Sequence, residues 1–387
     1  MSVMAEATAI HPFRIDVPDE QLADLRRRIE ATRWPSEELV ADRSQGVQLA
    51  TLQALARYWA TEYDMRRVQA RLNALPQFTT EIDGVEIHFI HVRSRHEHAL
   101  PLLMTHGWPG SVIELLDTVG PLTDPTAHGG KASDAFHVVC PSIPGYGFSG
   151  PTNARGWDVQ RVAEAEVELM KRLGYARYGA QGGDWGAMIS TQIGRLDPAH
   201  CAGIHLNMAI AFPAPDAPPL TELQQKWVAD FAAFQAGETG YQQIQGTKPQ
   251  TLGYGLTDSP AGLCAWIVEK FRTWSDCGGN LESVYTKDEL LANVTLYWVT
   301  KTINSSMRLY YETMKSGRVG VTQGRVEVPT ALAIFPKEIY KPPRAWAEKS
   351  YNVKQFTVFE KGGHFAAMEQ PKALLEDVRR FFGGLRA

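Results

Sequence analysis

Apolar positions change period along this chain, and the changes divide it. Before residue 80 they recur at helical spacing. Leu22, Leu25 and Ile29 fall at i, i+3 and i+7 behind Pro18 and Asp19, either of which can open a helix. Trp34-Pro35 predicts its end, because the residue before proline disfavours helix. Val47, Leu52, Leu55 and Trp59 mark a second amphipathic stretch. From about residue 78 the spacing becomes that of strands. Residues 78–82 and 85–92 flank Asp83-Gly84, a hairpin signal. Residues 102–105, 136–140, 178–180 and 203–206 are short apolar runs of buried-strand type. Between them lies a helix that Asp158 can cap, with Val162, Leu169, Met170 and Leu173 as its apolar stripe. Strands alternating with helices predict an α/β fold with a mainly parallel sheet.

Residues 213–325 break that rhythm. They begin with Pro213, Pro215, Pro218 and Pro219 and continue as helical segments. The sheet pattern returns at 329–335 and 353–359, and a last amphipathic helix covers about 371–382. The expected order is a helical arm (1–80), the first part of an α/β core (81–212), a helical lid (213–325) and the rest of the core (326–387).

Composition narrows the chemistry. Of 387 residues, 44% are hydrophobic and 21% charged, enough apolar surface for a large core. The net charge of −4 argues against a nucleic-acid partner held by a basic surface. No apolar run approaches the ~20 residues that span a bilayer. The first residues, MSVMAEATAIHPF, lack the basic and apolar regions of a signal peptide, so a cytoplasmic protein without a membrane anchor is expected. Cys140, Cys201, Cys264 and Cys277 are too scattered for a disulfide scaffold or a zinc site, and read as reduced thiols. The 10 Trp, 13 Tyr and 15 Phe suit a thick core or an apolar pocket.

Gln181-Gly182-Gly183-Asp184-Trp185-Gly186 follows a short apolar strand and precedes a helix-compatible run. That is the context of a nucleophile elbow, a tight turn that needs small flanking residues. Its centre is aspartate where serine is usual. A carboxylate is ionised at neutral pH, needs no base to become a nucleophile, and can displace at sp³ carbon to give an alkyl ester. Hydrolysis of that ester by water does need a base. His364, in Gly362-Gly363-His364-Phe365 after the last strand, is the candidate. Glu338, one strand earlier, can accept the ring N–H of His364 and fix its tautomer. Glu348, Glu360 and Asp377 are competitors that read better as surface charges. The order nucleophile, acid, histidine is that of the α/β-hydrolase fold. His106-Gly107-Trp108-Pro109-Gly110, after an earlier strand, can aim backbone N–H groups at an oxyanion. The N–H groups of Trp108 and Trp185 are nominated. His106, Gly107 and Pro109 read as shaping that loop.

Together these motifs resemble the microsomal-type epoxide hydrolases of the α/β-hydrolase fold. Pro12-Phe13-Arg14, Arg33-Trp34-Pro35 and residues 72–78 are similar to that family's N-terminal domain, so the resemblance covers nearly the whole chain. It extends to bacterial secondary-metabolism members of the enediyne type. It implies two lid tyrosines that hold and protonate the epoxide oxygen. One matches Tyr241, near Gln245-Gly246-Thr247-Lys248-Pro249, and the other Tyr310, in Ser305-Ser306-Met307-Arg308-Leu309-Tyr310. Tyr254 and Tyr311 are neighbours that read as packing. The vertebrate members carry a membrane anchor, whereas none is expected here.

The resemblance therefore implies hydrolysis of an epoxide to a vicinal diol through an Asp184 ester, with no cofactor and no metal. The aromatic content suggests a bulky apolar or aryl epoxide, and a homodimer is an open expectation. The rival readings are a dehalogenase with the same aspartate, an esterase, which would normally place Ser or Cys at position 184, and a catalytically silent binding protein of the same fold.

Overall fold

The computed structural model describes residues 9–317 and 324–386. Readings that fall on residues 1–8, 318–323 and 387, among them the start of the arm and the end of the lid, lie outside these. The chain opens with β1 (His11–Phe13), α1 (Asp19–Glu30), α2 (Leu49–Thr61) and α3 (Met65–Asn73). The core begins with β2 (Gln77–Ile82), β3 (Val85–Val92), β4 (Leu100–Thr105), α4 (Leu116–Thr123) and β5 (Phe136–Pro141). It continues through α5 (Val159–Arg172), β6 (Tyr178–Gly182), α6 (Trp185–Leu196) and β7 (Cys201–Leu206). Six helices follow: α7 (Glu222–Gly237), α8 (Gly240–Thr247), α9 (Pro249–Asp258), α10 (Pro260–Trp274), α11 (Lys287–Thr300) and α12 (Ile303–Ser316). The chain then returns to the sheet with β8 (Val326–Ile334), α13 (Arg344–Ser350), β9 (Tyr351–Val358), α14 (Ala366–Glu369) and α15 (Pro371–Gly383).

The nine strands form one sheet in the order β1-β2-β3-β5-β4-β6-β7-β8-β9. Pairings from β1 to β5 are antiparallel, and from β5 through β4 to β9 parallel. Central strands are apolar without alternation because both faces are covered; Leu102, Leu103, Val138, Val139, Ala180 and Ile204 are fully buried. Asp83 and Gly84 both adopt positive φ, and Ile82 pairs with Val85, which is the two-residue hairpin the sequence predicts. Asp158 caps α5 by accepting from the Arg161 N–H at 3.1 Å.

The arm departs from expectation at three points. α1 ends at Glu30, short of Trp34. The Thr32 N–H turns to the Ile29 carbonyl while its hydroxyl takes the Arg28 carbonyl, so the helical ladder closes early. α3 was not foreseen, although Met65, Val68 and Leu72 have helical spacing and Asp64 caps it through the Arg66 N–H. β1 is too short to show a period, and only its pairing with β2 defines it. α1 and α2 pack on α10, and α2 and α3 on α11, so the arm braces the inserted helices. Among the described residues, no helix is long and apolar enough to cross a membrane, and no cluster of His, Cys, Asp or Glu is placed to hold a metal ion. The four cysteines are free and buried.

Candidate active site

Strand ends converge on one point. In a parallel sheet the crevice outside the carboxyl ends of the strands is where side chains from several strands meet. β6 ends at Gly182 and α6 starts at Trp185, leaving Asp184 at the turn with φ 50° and ψ −127°. A non-glycine residue there is strained, and the surroundings must hold it. A Cβ on Gly182 would lie 2.2 Å from the Gly186 carbonyl carbon, and one on Gly186 1.9 Å from the Thr105 oxygen. The two glycines let the legs of the elbow close and let it sit against β4.

The loop after β4 supplies the anion donor. The Trp108 N–H donates to Asp184 Oδ1 at 2.8 Å. Trp185 is the first residue of α6, where a backbone N–H has no helical acceptor. His106 is buried, and both its ring nitrogens are committed: Nδ1 lies 3.0 Å from the Gly107 carbonyl, and Nε2 3.2 Å from the Ile143 nitrogen. Burial lowers its pKa to about 4, which suits a neutral anchor for the loop. A Cβ on Gly107 would meet the Asp184 Cβ at 2.3 Å, so the close approach requires glycine. Two α11 side chains hold the loop from above. Asn293 Nδ2 donates to the Pro109 carbonyl at 2.8 Å, and the Tyr297 hydroxyl to the Gly110 carbonyl at 2.7 Å.

His364 reaches the same carboxylate. Its Nε2 lies 3.4 Å from Asp184 Oδ2, and its Nδ1 2.6 Å from Glu338 Oε1. Both His364 and Glu338 are buried. Burial alone would lower the imidazole pKa, but the Glu338 and Asp184 carboxylates outweigh it and hold it well above the ordinary histidine value. The competing acids lie elsewhere: Glu348 pairs with Arg344 at the surface, Glu360 is exposed, and Asp377 binds His205. The histidine loop is tied to the end of α10, since the His364 N–H donates to the Trp274 carbonyl at 2.9 Å. Glu369 accepts from the N–H groups of Phe365 and Asp276. Trp274 also sets its ring edge-on to the imidazole at 5.0 Å.

Tyr241 on α8 and Tyr310 on α12 are buried and 6.0 Å apart, centroid to centroid. Both pack on the residues that flank the carboxylate. Tyr241 stacks on Trp108 at 5.3 Å, and Tyr310 stands edge-on to Trp185 at 4.6 Å and to Trp108 at 5.8 Å. The Tyr310 hydroxyl is buried with no hydrogen-bond partner among the described residues. Burial pushes both phenols above the usual tyrosine pKa and keeps them protonated donors. Tyr254 is exposed, and Tyr311 lies under the Lys315 ammonium, away from the carboxylate. The structure thus brings together Asp184, His364, Glu338, Trp108, Trp185, Tyr241 and Tyr310. Sequence reasoning missed Trp274, Asn293, Tyr297 and Glu114, a half-buried glutamate whose carboxyl oxygen Oε1 is enclosed beside this cluster.

Comparisons with known proteins identify the family. The family described as Epoxide hydrolase N terminus matches residues 10–115, and the alpha/beta hydrolase fold matches 101–243. A provisionally named epoxide hydrolase of Stigmatella aurantiaca is 50% identical over 98% of this chain and 86% of its own. Epoxide hydrolase 1 of Sus scrofa is 38% identical over 98% of this chain and 90% of its own. The crystal structure of juvenile hormone epoxide hydrolase from Bombyx mori superposes with a TM-score of 0.91 at 34% identity, covering 99% of this chain and 96% of that one.

Proposed function

The chain belongs to the epoxide hydrolases of the α/β-hydrolase fold, and we propose that it turns an epoxide into a vicinal diol through the residues just described. The observation that carries this assignment is the Asp184 carboxylate. One oxygen is held by the Trp108 N–H, the other lies beside His364, and two buried phenols pack on the flanking tryptophans. Tyr241 and Tyr310 hold the epoxide oxygen and donate a proton as the C–O bond breaks. Asp184 Oδ2 attacks a ring carbon and becomes an ester oxygen. His364, oriented by Glu338, then takes a proton from water. The water oxygen adds to the ester carbonyl carbon, and the Trp108 and Trp185 N–H groups stabilise the oxyanion. Collapse expels the ester alkoxide, which takes the proton held by His364, and the proton left on the Asp184 carboxyl returns to the phenolate, so the diol leaves with carboxylate and phenol both restored.

The walls support a reading of the substrate class. Trp108, Trp185, Trp274 and the two tyrosines enclose the reacting atoms with aromatic faces. These faces favour an aryl or bulky apolar epoxide. A dehalogenase needs donors for a departing halide, whereas buried phenols suit an opening epoxide oxygen. Diol formation from racemic styrene oxide, beside Asp184→Ala, tests the assignment. Diol from the native protein alone is expected. Equal diol from both would overturn the nucleophile.

A further inference from the structure

A second, smaller cavity lies on the sheet side of Asp184. It offers about 20 Å³ to a water-sized sphere, whereas one water needs ~10–15 Å³ on that measure. Every residue lining it comes from the core, and none from the inserted helices that carry the phenols. Asp184 and His364 both line it, so the cavity adjoins the nucleophile and the base together. Most of its other polar side chains are already paired. His106 is committed to backbone, Thr105 donates to Glu166 at 2.7 Å, and Gln181 donates to Asn207 at 3.0 Å. Two groups are not: the Trp108 indole N–H, which can only donate, and Glu114 Oε1, an enclosed acceptor with no partner among the described residues.

We propose that this cavity holds the hydrolytic water and that Glu114 is the second acceptor that positions it. The proposal rests on the epoxide hydrolase reading of the site. A water attacking the Asp184 ester must point one O–H at His364 Nε2 and place an oxygen lone pair toward the carbonyl carbon. Its other O–H then needs an acceptor, and Glu114 Oε1 provides one. The His364 proton comes from that water and is returned to the departing alkoxide, so the Glu114 proton count does not change. Burial raises the Glu114 pKa to about 8. A neutral carboxyl still accepts through its carbonyl oxygen, and it places no second negative charge beside Asp184. Gly110 fits the same account. A Cβ there would fall 1.1 Å from Glu114 Oε1, so only glycine at the end of the loop leaves the carboxyl where it is.

The test separates the two half-reactions. Excess enzyme is mixed with styrene oxide, ester formation is followed by intact mass and tryptophan fluorescence, and ester decay is timed. Glu114→Leu is expected to alkylate within about twofold of the native rate, while its ester decays roughly 100-fold more slowly, as loss of a positioned water group implies. Glu114→Gln keeps an acceptor and should recover most of that loss. Gly110→Ala, which displaces the carboxyl, should behave like Glu114→Leu. Native ester decay in Glu114→Leu would overturn the proposal. So would parallel loss of both steps, which marks a purely structural role. His364→Gln is the control and must trap the ester. If it does not, the covalent reading itself falls, and the water assignment with it.

Discussion

At the scale of single residues, the site works by dividing labour among groups with opposed protonation needs. Asp184 must be ionised, Tyr241 and Tyr310 must be protonated, and His364 must be neutral when water attacks. Burial secures the phenols. The imidazole is held high by two carboxylates. Esterification of Asp184 removes one of those charges, so the His364 pKa falls at the step where a free base is needed. In the ester Glu338 alone still favours the protonated imidazole, so ester hydrolysis should be lost as pH falls through the His364 pKa of that intermediate. Glu338→Gln removes a raising charge and should move that inflection of the ester-decay rate to lower pH. An inflection unmoved by the change would detach Glu338 from the base. The phenols give a separate prediction. Either Tyr→Phe change should slow alkylation by about 10-fold or more, and the double change by roughly 10³-fold, with ester decay little altered. Asp184, His364 and Glu338 were legible in sequence because each sits in a glycine-rich or strand-end context that narrows its role. Glu114, Trp274 and Asn293 were not, since nothing local marks them. Only the packing of other elements brings them to the carboxylate.

At the scale of elements, the elbow is the costly feature. Asp184 is held at positive φ because β6, α6 and β4 close on glycine contacts. Gly186→Ala would push a methyl into the Thr105 carbonyl. A loss of about 2–3 kcal/mol or more is expected, read as a lower midpoint of thermal unfolding, and activity should fall with it. A native midpoint and rate would show that the elbow has slack. α11 carries another function. Asn293→Ala removes the donor to the Pro109 carbonyl and leaves the Ser111 hydroxyl without its acceptor. A cost of about 1–3 kcal/mol is expected for such a buried loss. Both half-reactions should slow, because each uses the loop that carries Trp108. The strands and the hairpin were readable because their period and turn chemistry are local. α3 was overlooked despite its spacing, and β1 has no signal without its partner.

At the scale of the whole molecule, the N-terminal arm belongs to the active site at one remove. The Trp59 indole donates to the Thr295 hydroxyl at 2.8 Å, and Tyr58 to Asp288 at the same distance. Thr295 lies between Asn293 and Tyr297 on α11, the two residues that hold the oxyanion loop. Arm, inserted helix and loop are therefore one packed column above the strand ends. This explains why resemblance to the family runs through the arm as well as the core. The runs of helix and of strand could be read from changes in period, though β1 and the start of β2 join the sheet from within the stretch expected to be a helical arm. The bracing could not, because it joins residues more than 200 positions apart in the chain.

The central claim is that the oxygen added to the substrate first comes from Asp184 and not from water. A single turnover in ¹⁸O-water, with enzyme in excess over an aryl epoxide, tests it. The account predicts that the first diol is unlabelled and that the peptide containing Asp184 gains ¹⁸O. Label in the first-turnover diol, with none in that peptide, would contradict it and leave direct attack by water as the mechanism.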